Sequence, residues 1–363
     1  MAYIFYAPSK YIQGRNTLSE LGRYLSSFGH KALIVGTELG LKCIRDAAPS
    51  CDQCELIYEN FNGECSMSEI NRLQAVYQTS ACDILVGAGG GKVLDTVKAA
   101  ACFLKAPCVV IPTAVTTDAP TSALSVIYND DGTLDQRLTL PKSPDLILVD
   151  SQVIADAPAK LLVAGMGDAM STYFEARACH ASNSCNVHGG TATRAAMILA
   201  EECYRTILEN GAKAKAAVSR HLCTPAVEAV IEANTLLSGI GFEGGGKAAA
   251  HPIGDGLNTI PQCKSMHGEK VAFGSLVQLF MENAYEDELD EAYSFCATVG
   301  LPVTLEQLSI TDNPEDAALQ IAEVATQKDK PIYNMPCTVT EKSVRDAILA
   351  ADLYGQAFMK PNE

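Results

Sequence analysis

The sequence has no apolar run as long as the roughly 18 residues that a membrane-spanning helix needs, so no membrane span is expected. Its first residues, MAYIFYAPSKYIQG, lack the charged segment followed by an apolar segment that marks a secretory signal peptide. Positive charge is scarce, because 27 lysines and arginines face 43 aspartates and glutamates, giving a formal net charge of −16. This balance disfavours nucleic acid and anionic membranes as partners.

The chain also lacks a second cysteine pair that could complete a structural zinc site. Fourteen cysteines are scattered, mostly in apolar segments, and without a secretion signal they indicate buried, reduced thiols of a cytoplasmic protein. One pair, Cys51 and Cys54, has CxxC spacing, but no second pair or suitably spaced histidines lie nearby. A metal or redox role for this pair is therefore disfavoured.

The first 150 residues alternate short apolar runs with helical patterns. Four runs are predicted to be buried strands: KALIVG (31–36), DILVGAG (83–89), PCVVIP (107–112) and DLILVD (145–150). Their continuous apolar character is typical of a parallel sheet covered on both faces. The sequences TLSE (17–20) and SMSE (66–69) resemble capping boxes that open helices.

Beyond about residue 155, strand-like runs vanish and alanine-rich helical patterns dominate. A hydrophobic content of 48% is ample for a core, and 363 residues suggest two domains or one large one. We therefore predict an α/β nucleotide-binding domain over residues 1–157 and an all-helical domain over residues 158–363.

The stretch DILVGAGGGKVLDTVK (83–98) places glycines between a predicted strand and a predicted helix. It begins like a dinucleotide fingerprint, but Lys92 stands where the third glycine belongs. It also departs from the P-loop, because Val93 replaces the magnesium-binding Ser or Thr. From these residues alone, a tight turn and a phosphate-binding loop both remain open. In the second case, backbone N–H groups of Gly89, Gly90 and Gly91 would bind a pyrophosphate at the helix start.

The segment GGGKVLDTVK resembles the GGGKxxDxxK signature of the glycerol dehydrogenases, within the iron-containing alcohol dehydrogenase superfamily. The resemblance spans essentially the whole chain, including PTAVTTDAPTSALSVIYNDDG (112–132), GMGDAMSTYFEARA (165–178), AAAHPIGDGL (248–257) and HGEKVAFG (267–274). It implies an α/β Rossmann-like N-terminal domain followed by an all-α C-terminal domain, the dehydroquinate synthase-like fold. It also implies NAD as cofactor and a ring-like homo-octamer.

The resemblance assigns a set of cofactor-binding positions. They are Thr37, Gly89, Gly90, Gly91, Lys92, Asp95, Thr113, Thr116, Ser122, Leu124 and Tyr128. Thr37 departs from the family, in which an aspartate usually follows this strand. A carboxylate there would contact the adenosine ribose and repel the extra phosphate of NADP. We therefore expect this chain to prefer NAD over NADP, but by a smaller margin than relatives that carry the aspartate.

The resemblance also assigns a metal site. Asp168, His251 and His267 match the family positions that bind a divalent metal, and one carboxylate with two imidazoles is typical of a catalytic zinc with an open position. Iron-dependent relatives carry a further histidine one turn after the aspartate, where this chain has Thr172. The expected metal is therefore Zn²⁺.

The implied activity is reversible oxidation of glycerol to dihydroxyacetone. The metal would act as a Lewis acid on the substrate hydroxyl, and a hydride would move to nicotinamide C4. Asp118 matches a family aspartate beside the polyol, which predicts a preference for vicinal diols. Two alternatives remain: a dehydrogenase of another small vicinal diol or hydroxyketone, and a non-catalytic nucleotide-binding relative. The second is disfavoured because all three metal-binding positions are kept.

Two further departures lie close to the expected metal ligands. Gly254 and Asp255 replace a His-Asn pair that is common in relatives. This replacement puts in question the substrate preference that the resemblance implies. Lys247 stands where leucine is usual, and pairing with an acidic neighbour is one explanation.

Overall fold

The computed structural model describes residues 2–47, 49 and 52–360. The strands in these residues are β1 (Tyr11–Gly14), β2 (Lys31–Gly36), β3 (Glu55–Asn60), β4 (Ile84–Gly89), β5 (Cys108–Pro112), β6 (Leu124–Tyr128), β7 (Leu134–Thr139) and β8 (Leu146–Asp150). The helices of the first half are α1 (Leu21–Leu25), α2 (Glu38–Asp46), α3 (Met67–Thr79), α4 (Gly91–Leu104) and α5 (Ser151–Asp156).

The later elements are all helical in the described part of the chain, as predicted. They are α6 (Ala159–Ala181), α7 (Arg194–Val218), α8 (Pro225–Glu232), α9 (Ser238–Gly245), α10 (Ala250–Leu257), α11 (His267–Met281), α12 (Glu286–Val299), α13 (Pro314–Ala325) and α14 (Glu341–Met359). A π-helical segment, Ala233–Leu237, lies between α8 and α9.

Six strands form one parallel sheet in the order β1-β8-β5-β4-β2-β3. The four predicted strands are its four inner strands, and apart from half-buried Lys31 their residues are buried. The two strands of this sheet that the prediction missed, β1 and β3, are the edges, whose residues are half-buried or exposed, and the prediction also missed β6 and β7. An edge strand needs less apolar surface, so it leaves a weaker sequence signal. The remaining strands, β6 and β7, form an antiparallel hairpin.

The order of the strands reverses between β2 and β4. The chain passes from β2 to β3 on one side and from β4 to β5 on the other. Such a switch point leaves a crevice at the carboxyl ends of the strands, where doubly wound folds bind nucleotides. Thr37 follows β2 and Gly90 follows β4, and Gly36 pairs with Ala88 in the register. Two predicted cofactor-binding positions therefore lie at this crevice.

Glycines let the backbone pack closely at the crevice. A Cβ on Gly36 would lie 2.6 Å from the Ala88 carbonyl oxygen, and one on Gly89 would lie 2.8 Å from a methyl of Val93. Contacts this short cannot hold a side chain. Part of the glycine cluster therefore serves strand and helix packing.

Neither predicted capping box forms in full. Ser66 caps α3 by accepting from the Glu69 N–H at 3.4 Å, but the Glu69 carboxylate accepts from the Asn62 N–H at 3.1 Å, and the Ser66 N–H donates to the Glu64 carbonyl oxygen. Residues Thr17–Glu20 instead form a 3₁₀ turn, and Thr17 donates to the Val149 carbonyl oxygen at 3.1 Å. The carboxylate of Asp150, at the end of β8, accepts from the N–H of Leu18 at 3.1 Å. A carboxylate that is distant in sequence therefore accepts from a free N–H group of this turn, and local residue spacing does not reveal such a contact.

The described chain forms two compact units. One comprises the N-terminal stretch up to Phe5, Val163–Lys215 and the chain from Ile240 onward, and the other comprises Tyr6–Leu162 and Ala216–Gly239. The second unit contains the sheet together with α8, where the Gln13 amide of β1 donates to the Glu228 carboxylate at 2.6 Å. The functional division at residue 157 stays a prediction.

Burial is consistent with the expected thiol chemistry. It raises the pKa of Cys108 and of Cys296 to about 12, so both are protonated at neutral pH. Cys51, and with it the CxxC pair, lies outside the described residues. No helix in the described ranges is long and apolar enough to cross a membrane.

Candidate active site

The three residues predicted to bind metal come together in one unit. Asp168 lies in α6, His251 in α10, and His267 is the first residue of α11. Asp168 Oδ1 lies 3.5 Å from His267 Nε2 and 3.7 Å from His251 Nε2, and the candidate ligand atoms lie within 4.8 Å of one another. Two ligands of a tetrahedral zinc, each about 2.0–2.1 Å from the ion, are about 3.3–3.4 Å apart. The donor set and its spacing therefore fit zinc.

A carboxylate that sequence reasoning missed orients one of these histidines. Glu175 is fully buried, and its Oε2 lies 2.5 Å from Nδ1 of His251. A hydrogen bond from Nδ1–H to this carboxylate leaves Nε2, the atom facing Asp168, with its lone pair available. A signal was present in the sequence, because Glu175 follows Asp168 by seven residues, two turns along the same face of α6.

Buried side chains also satisfy the start of α10, which has no local side-chain cap. Glu175 accepts from the N–H groups of Ala248 and His251 at 3.0 and 3.1 Å. Gln278 accepts from those of Ala249 and Ala250 at 3.1 and 3.2 Å. A helix start leaves such N–H groups without intrahelical partners, and an anion there interacts favourably with the helix dipole. Glu175 therefore positions both the side chain and the backbone of His251.

The two buried carboxyls remain ionised. Burial by itself would raise the pKa of Asp168, but His267, His251 and Lys247 outweigh it and lower the pKa below its usual value. For Glu175, burial is likewise outweighed, chiefly by the charge of His251 and by hydrogen bonds from that residue. Both carboxyls therefore carry negative charge that can compensate a bound cation.

Close backbone contacts fix the helices that carry the ligands. A Cβ on Gly268 would lie 2.7 Å from the carbonyl carbon of Ala164 and 3.1 Å from the backbone nitrogen of Asp168. A Cβ on Gly274 would lie 3.0 Å from the carbonyl carbon of Ala250. Helix α11 therefore touches α6 and α10 backbone to backbone, beside His267 and His251 and at the backbone of Asp168.

The sequence departures near the ligands have structural explanations. Asp255 forms an ion pair with Lys330 at 2.7 Å, and a Cβ on Gly254 would meet a methyl of Val271 at 3.2 Å. The ammonium of Lys247 lies 4.7 Å from the ring centroid of Phe242, a cation–π contact, and its charge also helps lower the pKa of the acidic neighbours Asp168 and Glu175.

Thr172 is buried one turn after Asp168. Its methyl packs against Gly241, where a Cβ would lie 2.7 Å away. The hydrocarbon part of this side chain therefore serves packing between α6 and α9.

The start of α4 can accept an anion. Gly90 precedes the helix, and a Cβ added to it would meet nothing within 4 Å; no side chain caps the first turn, and no acidic residue lies in it. Lys92 forms a 2.7 Å ion pair with Glu64 and lies 5.4 Å from the ring centroid of Tyr128. Uncapped N–H groups beside a lysine suit a pyrophosphate.

The acidic residue of the GGGKxxDxxK segment, Asp95, has structural contacts. Asp95 is buried, pairs with Lys98 at 2.9 Å and accepts from the N–H of Val126 at 3.0 Å. Lys98 donates to the carbonyl oxygens of Ser122 and Leu124 at 3.2 and 2.5 Å. The pair therefore anchors the loop that carries two predicted cofactor-binding positions.

The remaining predicted cofactor positions also lie in the unit with the sheet. Thr37 is exposed and its hydroxyl accepts from the Gly40 N–H at 3.2 Å, so it caps α2. The Thr113 N–H donates to the Gly89 carbonyl oxygen at 3.1 Å, and Thr116 is half-buried in the following loop. Their contacts with a cofactor stay predictions.

Asp118 lies in the loop after β5, in the unit that contains the sheet. Ser238 Oγ donates to its carboxylate at 3.4 Å, and its carbonyl oxygen accepts from the Thr121 N–H at 3.2 Å. Its side chain is half-buried, and its role toward a substrate stays a prediction.

Comparison with known proteins decides the family. A model of the iron-containing alcohol dehydrogenases matches residues 8–151. A glycerol dehydrogenase from Escherichia coli O6:H1 is 46% identical over 99% of each chain. The chain belongs to the glycerol dehydrogenase branch of the iron-containing alcohol dehydrogenase family. A glycolaldehyde reductase from Halobacterium salinarum is 43% identical, over 98% of this chain and 99% of its own.

A solved structure of this branch confirms the predicted fold. The crystal structure of a probable glycerol dehydrogenase from Sinorhizobium meliloti 1021 matches with a TM-score of 0.92 and 43% identity. The match covers 98% of this chain and 99% of that chain. The Rossmann-like sheet followed by helices is therefore the architecture of this branch.

Glu175→Gln should lower zinc affinity by about 10–100-fold, the usual cost of altering a partner of a metal ligand. The amide carries no charge, so it holds the His251 Nδ1 proton less firmly. Competition with a chromophoric chelator would measure the affinity. Glu201→Gln, at an exposed position of α7, is the matched control. Equal zinc affinities in both variants would show that Glu175 serves only the helix start.

Proposed function

We propose that this member of the glycerol dehydrogenase branch reversibly oxidises glycerol to dihydroxyacetone, with hydride transfer to NAD and one zinc ion held by Asp168, His251 and His267. The observation that carries the proposal is the convergence of these three side chains, with Glu175 buried against His251 Nδ1. In the described residues the group contains three ligands, the number typical of catalytic rather than structural zinc sites.

The side chains of this chain prepare the site for that chemistry. When bound, zinc would supply Lewis acidity toward a substrate oxygen. Glu175 keeps the His251 proton on Nδ1, and the buried Asp168 stays ionised. At the sheet, the start of α4 offers N–H groups for the NAD pyrophosphate, and Lys92 adds a positive charge.

A second candidate is reduction of a small hydroxyaldehyde. It is supported by the 43% identity with the Halobacterium salinarum glycolaldehyde reductase. Both substrates carry oxygens on neighbouring carbons, so the same site chemistry serves both. The test is kcat/KM from nicotinamide absorbance for glycerol, dihydroxyacetone and glycolaldehyde. We expect the glycerol and dihydroxyacetone pair to dominate, and a higher value for glycolaldehyde would favour the second candidate. No turnover of any of the three would favour a non-catalytic relative.

Asp118→Asn should lower activity on glycerol more than activity on 2-propanol. A charged acceptor for the neighbouring hydroxyl of a diol is lost, which typically costs about 1–3 kcal/mol, whereas a mono-ol has no such hydroxyl. The ratio of kcat/KM for the two alcohols measures the effect. Equal losses on both would assign Asp118 to the fold or to the cofactor.

Thr37→Asp should widen the preference for NAD over NADP, mainly through a higher KM for NADP. The new carboxylate would repel the 2′-phosphate, and aspartate keeps the capping role that Thr37 has at α2. Lys42, a nearby cation, pairs with Asp46 and is thereby engaged. The measurement is kcat/KM for both cofactors in both proteins. A wild-type preference for NADP would overturn the NAD assignment, and an unchanged ratio would show that Thr37 does not face the ribose.

The proposal includes the cellular setting and the assembly. A cytoplasmic location accords with the buried thiols, and a homo-oligomer, by resemblance a ring-like octamer, is expected. Light scattering coupled to size exclusion would measure the assembly, and a monomer would contradict it.

A further inference from the structure

A second cavity lies at the opposite end of the sheet from the nucleotide crevice. It has a volume of about 340 Å³ and lies where α4 ends and β5 and β8 begin. Thr37, Gly90 and Thr113, by contrast, follow the carboxyl ends of the strands. Neither the proposed reaction nor the NAD site uses this cavity. Its volume lies within the range of small-molecule sites, about 300–1,000 Å³.

Most of the lining is apolar. Side chains or backbone of Phe28, Ala101, Ala106, Leu140 and Pro141 contribute to it. The occupant must therefore present an apolar surface, because burying its polar groups against such a wall would cost free energy.

The polar groups at the cavity favour one negative charge. Lys105 lines it, is exposed, and in the described ranges forms no ion pair. Lys142 also lines it but is already paired with Asp145 at 2.5 Å. Lys10 lies just outside, 4.9 Å from the ring centroid of the lining Phe28. Asp145 also lines the cavity and offsets Lys142, and the lining Lys98 is paired with Asp95, so Lys105 is the one lining ammonium that forms no ion pair in the described ranges.

A buried hydroxyl supplies a second polar contact. Ser143 lines the cavity, is 5% exposed, and its Oγ has no hydrogen-bond partner among the described residues. Such a group is costly unless something pairs with it. Near the end of α4, the carbonyl oxygens of Ala101 and Cys102 already accept from the N–H groups of Ala106 and Lys105. The Ser143 hydroxyl therefore lacks an acceptor among the described residues.

We propose that this cavity binds a small amphipathic monocarboxylate, with its carboxylate between Lys105 and Ser143 and its alkyl chain along the apolar wall. A carboxylate accepts from an ammonium and a hydroxyl together, which satisfies both groups. One available cation does not balance a polyanion, and Lys105 would repel a positively charged ligand.

Isothermal titration of the full-length protein with octanoate tests the proposal, with 1-octanol and acetate as probes that lack the charge and the chain respectively. We expect saturable octanoate binding at one site per chain and weaker binding of both controls. Lys105→Met and Ser143→Ala should each weaken octanoate binding by roughly tenfold, since each loses a partner of a charged group. Glycerol turnover without octanoate should stay unchanged in both variants.

A cavity-filling variant gives an independent check. Ala106→Phe should abolish octanoate binding by occupying the space, and its circular dichroism spectrum would confirm that it folds. No saturable binding at millimolar octanoate, or equal binding by wild type, Lys105→Met and Ser143→Ala, would overturn the proposal. Octanol bound as tightly as octanoate would also overturn it, because the charge would then play no part.

Discussion

His267→Ala should remove zinc and turnover together. The variant keeps two of the three ligands, and two do not hold a catalytic zinc ion firmly. Metal assistance supplies several kcal/mol and each 1.4 kcal/mol is tenfold in rate, so activity should fall by about a thousandfold or more. The fold should persist, because the His267 side chain is 43% exposed and therefore contributes little to the core. Zinc content by mass spectrometry and kcat on glycerol measure the two losses.

His180→Ala is the matched control, because His180 is an exposed histidine near the end of α6, the helix that carries Asp168. It should keep its zinc and its activity. Full activity in the His267 variant would contradict the assignment of this residue, whatever the zinc content.

Gly268→Ala should have the second large effect, on stability as well as on the site. The new methyl would lie 2.7 Å from the backbone carbon of Ala164, so α6 and α11 must move apart. Overpacking commonly costs about 1–3 kcal/mol, and backbone atoms cannot rotate away, so about 3 kcal/mol or more is expected. Because Gly268 adjoins His267 and its Cβ would face the nitrogen of Asp168, zinc affinity should fall as well. Denaturant unfolding and chelator competition measure the two effects.

Gly254→Ala provides the control on a neighbouring helix. Its Cβ would meet a methyl of Val271 at 3.2 Å, and a side chain can shift where a backbone cannot. A loss of about 1 kcal/mol or less is expected, with zinc binding kept. Equal destabilisation by the two substitutions would show that the helix contact at Gly268 is not especially tight.

The sequence predicted the inner strands of the parallel sheet and missed its two edge strands, β1 and β3. β2, β4, β5 and β8 are almost completely buried, so continuous apolar runs revealed them. The edge strand β3 reads ELIYEN, and its half-buried residues carry a weaker pattern. Strand pairing, rather than composition, makes such segments strands.

The metal-binding residues were found by family resemblance, whereas their supports were not. A lone histidine such as His251 has no local feature that marks it as a ligand. Glu175 and Gln278 act across the fold on the N–H groups that begin α10, and such a cap leaves no trace in neighbouring residues. The role of Gly268 likewise depends on the crossing of two distant helices. Pairings between segments far apart in sequence require the structure.

The residues of the GGGKVLDTVK segment have different structural environments. Gly90 and Lys92 lie at the start of α4, which has no side-chain cap, whereas Asp95 and Lys98 pair with each other and hold the loop after β5. The pattern predicted a single cofactor-binding set. The buried Asp95–Lys98 pair positions this loop, which spacing alone does not reveal, and a direct contact of Asp95 with a cofactor stays a prediction.

Zinc titration of the metal-free enzyme tests the central claim, that Asp168, His251 and His267 hold one zinc ion on which turnover depends. The protein is stripped with a chelator, zinc is added in steps, and NADH formation from glycerol is recorded at each step. Activity should start near zero, rise linearly and break at one zinc per chain. Full activity in the stripped protein, with zinc confirmed absent by mass spectrometry, would contradict the account.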